Sequence, residues 1–269
     1  MAPEQSLSTL TDVVPQTERT PKPYPIVFVH GAWHAAWCWQ EHFLPYFAQH
    51  GYTVHTPNLR QHGGVVDTRA LRRCRLDDYV ADLAATVAAL EGECILVGHS
   101  MGGLVVQKYL ERASAKAAML LAPVPIHGAL GATLRTMRRI PWHFLKANLQ
   151  LRLYPLIENE ELARDAFFSP DIEPPQLKAY FARLQDESYL AFLDMVIFRL
   201  PRPKRINTPI LVLGAEDDAI FRPAEIQRTA RAYGSEAQIF PNMAHDMMLE
   251  RDWQAVANTM RQWLQHQGL

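Results

Sequence analysis

The strongest constraint on the fold is a short apolar run, residues 94–97, that ends in the pentapeptide Gly98-His-Ser-Met-Gly102. The helical pattern Leu104 to Arg112 follows it. A serine on so sharp a strand-to-helix turn crowds the neighbouring backbone, so the positions two before and two after it must lack a bulky Cβ. The two glycines meet this requirement. The segment therefore predicts a strand, a tight turn that exposes the Ser100 hydroxyl, and a helix whose N-terminal N–H groups face that turn.

A Gly-x-Ser-x-Gly sequence also occurs by chance in surface loops, so its surroundings have to decide between a reactive serine and a plain turn. In this chain short apolar runs alternate with helical patterns. The predicted strands are residues 26–29, 52–55, 94–97, 117–121, 210–213 and 237–240. The predicted helices are residues 37–49, 76–90, 104–112, 223–233 and 253–265. This alternation predicts an α/β fold with a mainly parallel, doubly wound sheet of about six strands.

The alternation stops between residues 125 and 209, where aromatic and leucine-rich segments with helical spacing are interrupted by prolines. So long a stretch without secondary structure is uncommon inside a compact domain, so we predict a helical cap inserted after the fourth core strand. The cap is expected to cover the C-terminal ends of the strands. The core then comprises residues 23–124 and 210–269. Residues 1–22 are polar and contain prolines, which predicts a flexible N-terminal tail.

The apolar content and the net charge of the chain indicate which kinds of molecule it can bind. The 269 residues are 48% apolar, which suffices for one large core, and 27 basic against 28 acidic residues give a formal charge of −1. No broad positive field is available for nucleic acid or an anionic membrane. Three cysteines form neither a disulfide framework nor a metal motif, and no apolar run reaches about 18 residues. The first residues show no basic or apolar region, so we expect no signal peptide. We expect a cytoplasmic protein that binds a small, neutral or weakly charged molecule.

A serine hydroxyl becomes a good nucleophile only when a base removes its proton and an acid orients that base. After the predicted strand 210–213 comes Gly214-Ala-Glu-Asp-Asp218, and Asp217 is our choice for the acid. Asp218 and Glu216 are close rivals, because one residue of loop register decides which carboxylate points inward. His245 follows the last predicted strand and is the expected base. The chain order of serine, acid and histidine fits this arrangement.

The oxyanion of a tetrahedral intermediate needs backbone N–H donors. The residue after the serine, Met101, supplies one of them. The turn that follows the first strand, His30-Gly-Ala-Trp33, is expected to supply a second donor from Ala32. His30 itself is expected to support this loop rather than to react.

Several large apolar side chains are candidates for lining a substrate pocket, although each is equally suited to the core. They are Trp33, Trp142, Phe167, Phe168 and Met195. His30 and His34 have helical spacing for a metal, but the glycine between them spoils a helix and no third ligand is placed nearby. No phosphate-binding loop is present in the sequence. We therefore expect no metal and no cofactor.

Together, His30-Gly31, the serine pentapeptide, Gly214-x-x-Asp217 and His245 resemble the α/β-hydrolase superfamily over residues 25–267. The resemblance implies a serine nucleophile, a histidine base, Asp217 as its acid, and Ala32 with Met101 as oxyanion donors. The aromatic-rich segment 30–39 further resembles the methylesterase and hydroxynitrile lyase branch.

These observations predict a serine hydrolase that cleaves small carboxylic esters through an acyl-enzyme. One alternative is a non-hydrolytic enzyme on the same fold, such as a hydroxynitrile lyase or a cofactor-free dioxygenase. Another is a ligand receptor with little turnover. Fold alone does not separate these three functions.

Overall fold

The computed structural model describes residues 21–90 and 92–269. Six strands form one sheet: β1 (Ile26–Val29), β2 (Val54–His55), β3 (Ile95–His99), β4 (Ala117–Leu121), β5 (Ile210–Ala215) and β6 (Ala237–Phe240). Their spatial order is β2-β1-β3-β4-β5-β6, and every neighbouring pair is parallel. The predicted α/β fold class, the α/β-hydrolase type of sheet with helices around it, is confirmed. The tail predicted at residues 1–22 lies outside the described residues except for positions 21 and 22.

Helices connect these strands. The first half of the chain contains α1 (Trp37–Gln40), α2 (Phe43–Gln49), α3 (Thr68–Leu71), α4 (Leu76–Ala88) and α5 (Met101–Leu110). Between β4 and β5 lie α6 (Leu130–Arg139), α7 (Pro141–Gln150), α8 (Glu160–Phe167), α9 (Pro174–Phe181) and α10 (Tyr189–Leu193). A π-helical turn (Asp194–Phe198) and two 3₁₀ turns (Tyr154–Leu156 and Pro203–Arg205) complete this stretch. The last helices are α11 (Pro223–Ala232) and α12 (Trp253–His266).

Alternating side chains of the central strands enter two separate cores. In β1, Ile26 and Phe28 join the apolar cluster on one face of the sheet, whereas Val27 and Val29 join the cluster on the other. Both faces of a parallel sheet must be covered, because crossover helices lie on each side of it. This explains why the strands are nearly uniformly apolar rather than alternating in polarity.

The order of the strands also fixes where a site can form. From β1 the chain crosses to β2 on one side, and then returns to place β3 on the other side of β1. The connections that leave the carboxyl ends of β1 and β3 therefore run in opposite directions along the sheet, which makes a topological switch point, where open α/β sheets bind ligands. Ala32 follows β1 and Ser100 follows β3, so the two meet at this point.

The segment of residues 125–209, which the sequence analysis predicts to be a cap, is here called the insertion. It is largely helical and lies between β4 and β5. Within residues 21–90 and 92–269, no helix combines the length and the apolar composition that crossing a membrane requires.

Candidate active site

The turn at Ser100 has the geometry that its two glycines predict. Ser100 has φ of 51° and ψ of −116°, an unusual backbone conformation for a residue with a side chain. A Cβ at Gly98 would lie 2.5 Å from the carbonyl oxygen of Gly102. A Cβ at Gly102 would overlap the carbonyl oxygens of Val29 and His30. The strained turn therefore depends on glycine at both positions, and it places Ser100 at the N-terminus of α5.

His245 is buried in the loop after β6, and its Nδ1 lies 2.8 Å from Oδ2 of Asp218. A carboxylate only accepts hydrogen bonds, so Nδ1 carries the proton and Nε2 is left to act as the base. The backbone carbonyl of His245 accepts a hydrogen bond from Nε2 of His99 at 3.0 Å, which fixes the loop beside β3. Burial lowers the pKa of His245, but the charge and hydrogen bond of Asp218 outweigh burial and raise it.

The carboxylate partner of the histidine is Asp218, so the choice of Asp217 is wrong on geometry. Asp217 is exposed, as is Glu216, and the Asp217 N–H donates to the carbonyl of Met243 at 2.9 Å. The side chain of Asp218 instead turns inward. Its Oδ1 accepts the N–H groups of Ile220 and Phe221 at 2.7 and 2.9 Å. This local turn holds the carboxylate and leaves its second oxygen for His245.

The serine and the histidine lie at the same end of the sheet. Ser100 and Phe221 line one cavity, and the ring of Phe221 contacts the ring of His245 with centroids 5.6 Å apart. His99, the residue before the serine, has its ring 4.8 Å from that of His245. The structure thus places Ser100, His245 and Asp218 after β3, β6 and β5, at the same end of the sheet.

The predicted oxyanion loop approaches the serine closely. A Cβ at Gly31 would lie 3.1 Å from Cβ of Ser100, so only glycine allows this contact without displacing a neighbour. Ala32 lines the same cavity as Ser100. Met101 is the first residue of α5, where backbone N–H groups lack helical partners. Both predicted donors are therefore beside the serine.

His30 orients the Ala32 N–H by binding the carbonyl of the same peptide group, the one that joins Gly31 to Ala32. Its Nδ1 donates to the Gly31 carbonyl at 2.9 Å, and its Nε2 accepts the N–H of Leu59 at 3.1 Å. Burial, reinforced by the nearby His62, holds the pKa of His30 well below its usual value, so this neutral tautomer persists. In a trans peptide the carbonyl and the following N–H point in opposite directions. Fixing the Gly31 carbonyl therefore fixes the direction of the Ala32 N–H.

A mainly apolar cavity of about 140 Å³ opens onto Ser100 and is bounded by the core and the insertion. Two of the predicted pocket residues, Trp33 and Met195, line it. Its other apolar walls come from Val124, Ile140, Phe144, Leu156, Ile157, Leu162 and Phe192. An ester with a hydrocarbon side chain fits the chemistry of these walls.

Three of the predicted pocket residues do not line this cavity. Trp142 is 78% exposed on α7. Phe167 is buried behind the site, with its ring centroid 5.6 Å from that of Trp33 and 6.3 Å from that of His245. Phe168 stacks on Tyr180 at 5.7 Å. Helical spacing alone does not show which face of an inserted helix is turned toward the cavity.

A buried pair that the sequence did not indicate, His34 and Asp246, lies behind the site. Nδ1 of His34 donates to the Ala32 carbonyl at 2.8 Å, and Nε2 lies 2.9 Å from Oδ2 of Asp246, off the direct line of a hydrogen bond. The side chain that contacts the oxyanion loop therefore also contacts the residue after His245. The adjacency of Asp246 to His245 was the only sequence signal for this pair.

Among the described residues, one group has the spacing of metal ligands: His99, His245 and Asp246 offer atoms within 4.8 Å of one another. Each of these residues contacts another group through a side-chain atom. His245 is bound to Asp218, Asp246 faces His34, and Nε2 of His99 donates to a carbonyl. A metal at this place would compete with the base, and we assign none.

A parallel sheet with a serine on a strained strand-to-helix turn, beside a buried histidine and carboxylate, defines the class of α/β hydrolases. The model of the alpha/beta hydrolase family matches residues 26–259. The chain belongs to this family.

Curated relatives match part of the chain. The carbendazim hydrolyzing esterase of Nocardioides sp. (strain SG-4G) is 35% identical over 108 residues, which cover 38% of this chain and 43% of that protein. Methylesterase 10 of Arabidopsis thaliana is 37% identical over 114 residues, or 40% of each chain. The chain thus spans less than half the length of these relatives.

Solved structures match nearly the whole chain. A thermophilic esterase from Thermogutta terrifontis has a TM-score of 0.66 at 20% identity, covering 96% of this chain and 93% of that one. A monoacylglycerol lipase from Paleococcus ferrophilus has a TM-score of 0.70 at 18% identity, covering 96% and 98%. At such identities the likeness shows the fold alone.

Proposed function

We propose that this protein hydrolyses small carboxylic esters through a covalent acyl-enzyme. The observation that carries the proposal is the Ser100 hydroxyl, held on a strained turn in the wall of an apolar cavity, beside the His245–Asp218 pair. The names of relatives, such as esterase and methylesterase, support the same reaction class. In this proposal Ser100 is the nucleophile, His245 is the base and Asp218 is the acid that orients the base.

In the first step Nε2 of His245 removes the hydroxyl proton as Oγ of Ser100 attacks the ester carbonyl. The N–H groups of Ala32 and Met101 stabilise the oxyanion that forms. The imidazolium then protonates the departing alcohol, and the acyl group stays on the serine. Water, activated by the same base, releases the carboxylic acid and restores the hydroxyl.

The test replaces the proposed nucleophile. Ser100→Ala is expected to abolish hydrolysis of p-nitrophenyl esters and covalent labelling by a fluorophosphonate. Ser114→Ala is the matched control, because Ser114 is exposed and does not line the cavity. Labelling of the Ser100→Ala variant at the level of the unmodified protein would overturn the proposal.

The same experiment separates the alternatives. A labelled Ser100 without turnover of any ester in a panel of chain lengths favours a non-hydrolytic enzyme or a receptor. Thermal stabilisation by a ligand that stays chemically unchanged favours the receptor. The helical cap and the cytoplasmic location remain predictions of the sequence.

A further inference from the structure

The walls of the cavity carry few charges. Three ionisable residues line it: Arg135 and Arg139 from α6, and Asp165 from α8. A free guanidinium in an apolar cavity is a strong attractor for a carboxylate, because it can bind both oxygens. Whether these two arginines are available therefore determines whether an anionic substrate is accepted.

Arg135 is already bound. Its guanidinium contacts the Glu225 carboxylate at 2.6 and 3.3 Å, and it donates to the Ile220 carbonyl at 2.5 Å. Glu225 is held in turn by the N–H of Arg222 at the start of α11. Burial raises the pKa of Glu225, but Arg135 and the Arg222 N–H outweigh burial, and the net pKa is lowered. Arg135 and Glu225 therefore form an ionised pair without net charge.

Arg139, on α6, is bound as well, and its partner is Asp165 on α8. Its Nη2 lies 2.8 Å from Oδ2 of Asp165, and its Nη1 donates to the Asp165 backbone carbonyl at 3.0 Å. Both side chains are nearly half exposed, at 47% and 41%, which places the pair at the solvent side of the cavity. Arg164 also contacts the Asp165 carboxylate, at 3.1 Å.

We propose that the Arg139–Asp165 pair determines specificity, because Asp165 occupies the Arg139 guanidinium that would otherwise bind an incoming carboxylate. This inference rests on the proposed ester hydrolysis and specifies its substrate as a neutral ester with an apolar acyl group. A carboxylate that enters the cavity loses its hydration. With both arginines paired to carboxylates, no unpaired charge among the described wall residues compensates for that loss.

The experiment removes the charge of Asp165 and keeps its shape. The probes are p-nitrophenyl hexanoate and mono-p-nitrophenyl adipate, two esters that differ by a terminal carboxylate. The unmodified protein is expected to prefer the hexanoate. Asp165→Asn leaves the Arg139 charge uncompensated, and the ratio of kcat/KM for adipate to that for hexanoate is expected to rise about tenfold.

Three further proteins make the result specific. In the double variant Arg139→Ala with Asp165→Asn, the ratio of kcat/KM for adipate to that for hexanoate is expected to return to the value of the unmodified protein. That result assigns the increase in Asp165→Asn to Arg139 rather than to Arg164. Asp171→Asn is the control for net charge, because Asp171 is 64% exposed and does not line the cavity. The Ser100→Ala variant measures spontaneous hydrolysis.

Equal rates of the unmodified protein on the two esters would overturn the inference, and so would an unchanged ratio in Asp165→Asn. Either result leaves the proposed function standing, since the hexanoate is still hydrolysed. Failure to hydrolyse both esters would instead overturn the proposed function, and the inference with it.

Discussion

Of the neighbouring residues Asp217 and Asp218, only Asp218 accepts the proton on Nδ1 of His245 in a hydrogen bond. His245 donates from Nδ1 to Asp218, so Nε2 is unprotonated on the side available to the serine. When His245 accepts the serine proton, the carboxylate of Asp218 stabilises the resulting cation. Asp217 is exposed and makes no comparable contact.

Asp218→Asn is expected to reduce kcat about 10³- to 10⁴-fold, because an amide favours the wrong tautomer of the imidazole. Asp217→Asn removes the same charge one residue away and is expected to change kcat less than about twofold. Steady-state hydrolysis of a p-nitrophenyl ester measures both. A larger loss in Asp217→Asn than in Asp218→Asn would show that the loop adopts the other register.

The pH dependence follows from the same contacts. Burial lowers the pKa of His245, whereas Asp218 and, more weakly, Asp246 raise it, and the net direction is upward from 6.5. The base must be neutral, so kcat/KM is expected to fall as the pH drops through this raised pKa. The midpoint of the acid limb should therefore lie above 6.5. Rates measured over that range, with intrinsic fluorescence as the control for unfolding, test this; a midpoint below 6.5 contradicts it.

The site illustrates what the sequence could and could not specify. Ser100 and His245 were proposed from their places in the chain, because Ser100 directly follows β3 and His245 lies in the loop between β6 and α12. The acid was not predictable in this way, since Asp217 and Asp218 share one loop and only the turn closed by the Ile220 and Phe221 N–H groups selects between them. The His34–Asp246 pair joins residues far apart in sequence, and no local pattern reports such a contact.

At the scale of elements, backbone atoms tightly constrain the turn between β3 and α5. A Cβ at Gly98 meets backbone atoms of Gly102 and Gly103, which cannot move without separating the helix from the strand. Gly64 provides a contrast, because a Cβ there has no atom within 4 Å.

Gly98→Ala is expected to lower the free energy of unfolding by about 3 kcal/mol or more, because the clash is with backbone rather than with a flexible side chain. Gly64→Ala is expected to change it by less than about 1 kcal/mol. Denaturant titration measures both variants. Equal stabilities would mean that the turn relaxes to accept a Cβ.

The elements themselves were largely predictable. Short apolar runs located all six strands, and the late helices α11 and α12 lie within a residue or two of the predicted ranges. The predicted helix 37–49 is instead two helices, α1 and α2, divided at residues 41–42. The sequence could not give the arrangement of α6 to α10, because each is amphipathic or mixed and packs according to neighbours distant in the chain.

At the scale of the whole molecule, buried polar contacts join the insertion to the core. Nε2 of His62 lies 3.2 Å from Glu187, and the Tyr79 hydroxyl donates to the same carboxylate at 2.6 Å. Asp194 accepts from the Arg75 guanidinium at 2.6 and 3.1 Å. Such pairs constrain relative position more than they add stability, because removing charges from water offsets much of the attraction.

Glu250 makes a further contact of this kind, and its ionisation opposes folding. Its Oε1 accepts the N–H of Ser169 at 2.7 Å, which ties the segment after α8 to the loop before α12. The side chain is only 6% exposed, and burial raises the pKa of Glu250 from 4.5 to about 7 despite the opposing bond from Ser169. A raised acid pKa means that the folded protein favours the protonated form. This contribution is complete below about pH 4.5 and is lost as the pH rises through 7.

Glu250→Gln keeps an acceptor for the Ser169 N–H and cannot ionise, so it is expected to stabilise the protein selectively at high pH. At pH 8 the gain should be roughly 2 to 3 kcal/mol, or several degrees in Tm, whereas at pH 5 it should be small. Thermal unfolding of both proteins at the two pH values measures the difference. Glu236→Gln, at an exposed position, is the control and should show the same small change at both. A gain for Glu250→Gln that does not grow with pH would mean that the carboxylate is ionised in the folded protein at little cost.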